Sequence, residues 1–152
     1  MIKKIAITGH TSGLGKSFFD LLTQQGHHVV GFSKSNGYDI RDYSIVSKII
    51  NEIKDFDLFI NNAKPDYSQT QIVYRLARGW SGTVLSIGSK VVTKPTNWTD
   101  TFLLEYVTQK IALSHAHQVL EKISTCKLIL THPDHIDDAQ RCAKNILESI
   151  GL

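Results

Sequence analysis

Tyr106 and Lys110 are the residues of this 152-residue chain whose types and spacing most directly suggest chemistry. A tyrosine hydroxyl has an ordinary pKa of about 10, too high for proton transfer near neutrality. An ammonium group beside it stabilises the phenolate and lowers that value. Four residues apart on a helix, the two side chains project from one face. Such a pair can give a proton to a carbonyl oxygen or take one from an alcohol. The same spacing also describes an ordinary surface pair, so it acquires meaning only from the residues around it.

A glycine-rich turn supplies the second element of a site. It reads Thr8-Gly9-His10-Thr11-Ser12-Gly13-Leu14-Gly15-Lys16 and lies between an apolar β-branched run and a helical stripe. Gly9 permits a sharp turn, Gly13 lets a pyrophosphate approach the backbone, and Gly15 lets the helix pack close to a sheet. The start of that helix offers N–H groups and the positive end of its dipole to a phosphate. A P-loop would share the tail Gly15-Lys16-Ser17, but its first glycine belongs at position 10, which is His10.

The elements that must position these residues follow from the hydrophobic pattern. Ile2–Thr8, His28–Phe32, Phe56–Ile60, Thr83–Ile87 and Lys127–Thr131 read as strands, with Tyr38–Ile40 as a very short further extended piece. Between them run helical stripes. The first is Leu14, Phe18, Leu21 and Leu22, closed by Gly26. The second is Val46, Ile49, Ile50 and Ile53, behind a cap at Ser44. Ser68–Ala77 is a shorter helix, Thr99–Ile123 the longest, and a last one starts near Asp137 and Asp138. Strands that are apolar throughout, alternating with amphipathic helices, predict one α/β domain over residues 1–152. Its parallel sheet of about six strands is doubly wound, with helices on both faces. Ligands of such sheets lie beyond the carboxyl ends of the strands.

The segment TGHTSGLG resembles the TGxxxGxG signature of the short-chain dehydrogenase/reductase family, and further resemblances follow in order along the chain. Asp39-Ile40 looks like the acidic residue, with its neighbour, that meets the adenine ring. Asn61-Asn62-Ala63-Lys64 looks like the NNAG motif, with Lys64 in place of glycine. Ser89 matches the catalytic serine, Tyr106-Val107-Thr108-Gln109-Lys110 the YxxxK motif, and Pro133 the proline of a PG motif in which Asp134 replaces the glycine. The resemblance implies a Rossmann-like fold and catalysis by Ser89, Tyr106 and Lys110. In that scheme Ser89 and Tyr106 hold the substrate oxygen, while Lys110 lowers the tyrosine pKa and binds the nicotinamide ribose. Ser86, the competing serine, lies inside its strand, so Ser89 at the strand's carboxyl end is better placed. The implied cofactor site comprises Gly9, Thr11, Ser12, Gly13, Leu14, Gly15, Ser33, Lys34, Asp39, Ile40, Asn62, Ala63, Tyr106, Lys110, Pro133 and Ile136. An NAD-specific relative would carry an acid at the end of the second strand. Ser33 and Lys34 stand there instead and suit a 2′-phosphate, so NADP is favoured over NAD.

Two departures bear on function. No asparagine occurs between Asn62 and Asn97, so the family's fourth catalytic residue is absent. Little sequence follows Pro133, so the substrate-covering lid and a further strand are not expected. The leading reading is an NADP-dependent oxidoreductase acting on a small-molecule carbonyl or alcohol. The alternative is a non-catalytic NAD(P)-binding sensor or regulatory protein of the same fold; an epimerase or dehydratase would ordinarily need more sequence after Pro133. The two apolar faces of the long helix, one continuing through Leu113 and the other through Val107 and Ile111, suggest a homo-oligomer.

Composition narrows the remaining classes. The apolar runs are far shorter than the ~20 residues that span a bilayer. A net charge of +3 with scattered basic residues gives no case for nucleic acid. The seven histidines show no recognised metal-ligand spacing, so no metal is expected. Two cysteines, Cys126 and Cys142, and no export signal suggest free thiols and a cytoplasmic protein.

Overall fold

The structure is a computed structural model that describes residues 1–93, 101–134 and 136–152. Thr99, where the pattern starts the long helix, and His135 lie outside the described residues. Five strands form one sheet: β1 (Lys4–Thr8), β2 (His28–Phe32), β3 (Leu58–Asn61), β4 (Thr83–Ile87) and β5 (Lys127–Thr131). All neighbours are parallel, in the order β2-β1-β3-β4-β5. Five helices connect them: α1 (Gly13–Gln24), α2 (Tyr43–Glu52), α3 (Ser68–Leu76), α4 (Thr101–Leu120) and α5 (Ala139–Ser149).

Side chains of a strand alternate between its two faces, and each face of this sheet carries its own core. Ala6, Phe59 and Val84 point to the layer formed by α2, α3 and α4, where they meet Ile49, Val73, Leu113 and Leu120. Ile5, Ile7, Leu58, Ile60, Leu85 and Ile87 point to the other layer, against Phe18 and Leu22 of α1 and Ala143 and Leu147 of α5. The doubly wound architecture expected from the alternating elements is therefore present. Cys126 belongs to the first core and Cys142 packs beside the second, both as free thiols.

Two local expectations change. Tyr38–Ile40 forms no strand, and the described sheet has five strands rather than about six. After β2 the chain makes a short 3₁₀ turn over Lys34–Asn36, and Gly37 takes a left-handed φ of 91°. The Tyr38 N–H then returns to the Ser33 carbonyl at 2.9 Å, so the segment folds back on itself instead of joining the sheet. The cap of α2 is Asp42, not Ser44; the Asp42 carboxylate accepts from the Ser44 N–H at 2.8 Å. At α5, Asp138 caps in the same way, accepting from the Arg141 N–H at 3.0 Å.

The sheet topology decides where a ligand can bind. From β1 the chain passes to β2 on one side, and later β3 lies on the other, which opens a crevice at the carboxyl ends of β1 and β3. Gly15 lets α1 settle against that edge. A Cβ there would lie 2.0 Å from the Gly9 carbonyl oxygen and 2.5 Å from Asn62 Nδ2. Gly79 has open space around the same position. Urea unfolding should therefore show Gly15→Ala destabilised by about 1–3 kcal/mol, or more if the loop cannot yield. Gly79→Ala should stay within about 1 kcal/mol of the parent. Equal midpoints for the two variants would contradict the packing argument.

Candidate functional site

Thr8, at the carboxyl end of β1, ties the two loops that flank the crevice. Its hydroxyl accepts from the N–H groups of Asn62 and Ala63, both at 3.1 Å. Asn62 returns the contact through its side-chain amide, which donates to the carbonyls of Thr8 (3.1 Å) and Gly9 (3.3 Å). Gly9, at φ 72°, fits beneath Ala63, where a Cβ would come within 3.0 Å of the alanine side chain. Ser12 makes no side-chain bond to the start of α1, so the first N–H groups of that helix are presented to the crevice. Gly13 leaves open space in front of them.

Two adjoining clefts share this floor. The first, of about 400 Å³, is lined by Gly9, Ser12, Gly13 and Leu14 on one side and by Asn62 and Ala63 on another. Ser89, Tyr106, Lys110, Pro133 and Ile136 complete it. The second, of about 680 Å³, is lined by Thr11, Ser33, Lys34, Asp39 and Ile40, with Gly9 and Ala63 common to both. Fifteen of the sixteen residues expected at the cofactor site, and all three expected catalytic residues, thus line one or other of these two clefts. Gly15 lines neither cleft, since its place is the contact between α1 and the first loop.

The chemistry-bearing corner lies where β4 and α4 meet. Lys110 as a residue is only 3% exposed, and its Nζ donates to Gln69 Oε1 and to the Ile87 carbonyl, each at 2.8 Å. It sits 5.7 Å from the centre of the Tyr106 ring, and the exposed Lys64 Nζ sits 5.0 Å from that ring. Burial, and then repulsion from Lys64, bring the Lys110 pKa down to about 7. Ser86 is fully buried and its hydroxyl accepts from Asn61 Nδ2 at 3.1 Å, which makes it part of the scaffold. Ser89 lies at the cleft wall; its Oγ accepts from the Val91 N–H at 3.2 Å and its carbonyl lies 3.2 Å from His132 Nδ1.

Three residues at the site escaped the sequence reading. Gln69 touches Lys110 from α3. Lys64, noted only as a departure from a motif, stands over Tyr106. Arg41 grips Asp39, with Nε on Oδ1 at 2.9 Å and Nη2 on Oδ2 at 2.6 Å. That grip holds the Asp39 carboxyl well below the usual carboxylate range. The Asp39-Ile40-Arg41 spacing was the available signal, since a residue two along can fold back onto an Asx side chain. Among the described residues, no group of three His, Cys, Asp or Glu side chains is placed to hold a metal ion.

The lowered pKa has a consequence for stability. In the folded protein Lys110 titrates near 7, and in the unfolded chain near 10.5. Between these values the unfolded state binds more protons, so stability rises with pH through that window. Below about pH 7 the burial penalty is present in full. Lys110→Met removes the group, so its unfolding free energy should rise less steeply between about pH 7 and pH 10 than that of the parent. Parallel curves from denaturant titrations would show that Lys110 keeps an ordinary pKa in the fold.

No protein-family model matches the chain, and no curated protein matches it in sequence. Solved structures do match in shape. A short-chain dehydrogenase from Streptomyces avermitilis superposes with a TM-score of 0.79 at 14% identity, over 100% of this chain and 85% of that one. The 3-alpha-hydroxysteroid dehydrogenase from Pseudomonas sp. B-0831, complexed with NADH, gives 0.72 at 17% identity, over 97% and 88%. A short chain dehydrogenase from Burkholderia cenocepacia J2315, in complex with NADP, gives 0.74 at 14% identity, over 98% and 84%. The chain therefore has the Rossmann-like fold of the short-chain dehydrogenase/reductase structures.

Proposed function

We propose that the chain is an NAD(P)-dependent oxidoreductase of the short-chain dehydrogenase/reductase family, which reduces a small-molecule carbonyl or oxidises the corresponding alcohol and prefers NADP. The observation that carries this reading is the placement of the Lys110 amine 5.7 Å from the Tyr106 ring, in a cleft that Ser89 and the glycine loop also line. The loop fits a dinucleotide: Gly13 leaves room in front of the α1 N-terminus, where a pyrophosphate would be held. A bound nicotinamide would supply or accept hydride.

The side chains divide the remaining work. Tyr106 gives its proton to the carbonyl oxygen as charge develops there, or takes one from the alcohol in the reverse direction. Lys110, in its protonated form, steadies the phenolate that remains. A serine hydroxyl has one proton to donate and two lone pairs. Ser89 uses one lone pair on the Val91 N–H, so its own proton is left for the substrate oxygen.

The second cleft bears on cofactor choice. Ser33, Lys34, Ser35 and Arg41 line it, and the charge of its acid, Asp39, is answered by Arg41. That balance suits the phosphate of NADP better than the bare ribose of NAD. The exposed apolar side chains of α4, Ile111 and Val119 among them, support assembly as a homo-oligomer through this helix.

A panel of aldehydes, ketones and keto-sugars assayed with NADPH tests the reaction. Tyr106→Phe should lower kcat by about 10²-fold or more and leave NADPH affinity close to that of the parent. Retained turnover would remove Tyr106 from the mechanism. Tight NADPH binding with no turnover on any substrate would instead identify a dinucleotide-binding sensor. Fluorescence titration of the two cofactors tests the preference. NADPH should bind more tightly than NADH, and Lys34→Ala should weaken NADPH by about tenfold while hardly changing NADH. Tighter NADH binding by the parent would reverse the assignment.

A further inference from the structure

We infer that Gln69 is the positioning residue of Lys110: with the Ile87 carbonyl it holds the amine in two directions, so that the third is directed to the cleft and Tyr106. The inference builds on the oxidoreductase reading, which makes Lys110 catalytic, but the contacts that carry it are independent of any cofactor.

The amide of Gln69 has two N–H bonds and one oxygen to place. Its Nε2 donates to the Asn61 carbonyl at 2.8 Å and to the Ile87 carbonyl at 3.1 Å. Both donors are thereby used, and Oε1 turns to the opposite side, where it accepts from Lys110 Nζ at 2.8 Å. The reverse orientation would set the amide oxygen against two carbonyl oxygens and its NH₂ against the amine. Orientation is therefore decided by the donor and acceptor count. Gln69 is itself held from behind, because its backbone carbonyl accepts from Asn61 Nδ2 at 2.9 Å. It is 5% exposed and lines neither cleft, so it acts only through Lys110.

An amine nitrogen has three directions besides its bond to carbon. Two N–H bonds of Lys110 go to Gln69 and Ile87 whether the group carries two protons or three. The proton that is gained or lost is then the one on the cleft side. The titratable groups that face the amine are Tyr106 from its own helix and Lys64 from the loop after β3, while the contacts from α3 and β4 are uncharged.

The test follows Lys110 in the full chain labelled with [ε-¹³C]lysine, its resonance identified by its loss in Lys110→Arg. In the parent, Gln69→Met and Gln69→Glu the NMR titration midpoint is measured without cofactor. Methionine removes the acceptor from the ammonium form and should lower the midpoint by about one pH unit, a tenfold change. Glutamate places a negative charge there and should raise it. Opposite shifts in the two variants are not produced by a residue that merely fills space. A midpoint unmoved in both variants, or moved the same way in both, overturns the inference. If Gln69→Met does not fold, the upward shift in Gln69→Glu alone decides, and its absence is equally fatal. The same preparations mixed with NADPH keep the two readings apart. Shifted midpoints with no NADPH binding would reject the oxidoreductase and retain the positioning role. Unshifted midpoints in an enzyme that turns over would do the reverse.

Discussion

A lysine that is 3% exposed needs acceptors for its amine, and those that Lys110 finds come from two different elements. One is the Ile87 carbonyl at the end of β4, which also accepts from Gln69 Nε2. The other is a side chain from the first turn of α3. Both must lie within hydrogen-bond reach at once, so the register of α4 against the sheet and the entry of α3 are set together. Asn61 extends the constraint to β3 by bonding the Gln69 backbone and Ser86. A polar chain thus runs from the buried sheet interior to the rim of the cleft, and the apolar packing of α3 and α4 closes around it.

The other half of the groove obeys a different constraint. Its floor consists of backbone: a glycine turn, the opening of α1, and a loop pinned by the Thr8 hydroxyl. Backbone N–H groups and a helix dipole, rather than side chains, give this floor its polarity. Close approach demands small residues here, and Gly15 shows how tightly, with no room for a single added carbon.

This division explains what could be read from residues alone. Apolar strands and helical stripes carry their own periodicity, so the sheet, its two covering layers and the glycine turn were legible. Tyr38–Ile40 misled because three residues have too little pattern to separate a strand from a turn, and the left-handed Gly37 was invisible to it. Ser44 misled because both it and Asp42 can cap a helix, and the choice rests on where the backbone first turns. Gln69 was illegible for a deeper reason. Its partner lies 41 residues away, and a glutamine in an amphipathic stretch carries no sign of which strand its amide will meet. Lys64 and Tyr106 are likewise neighbours only through the fold.

The contrast between the two halves of the groove also shapes how such a protein can diverge. The glycine-turn half depends on backbone and on the absence of side chains, so most substitutions elsewhere leave it intact. The half around Tyr106 and Lys110 depends on a few functional groups, each removable by one codon change. A single substitution can therefore alter either half, by removing a functional group from one or by adding a carbon to the other where Gly15 leaves no room. The two halves thus fail in opposite ways, one by losing a contact such as that between Lys110 and Gln69, the other by gaining a side chain.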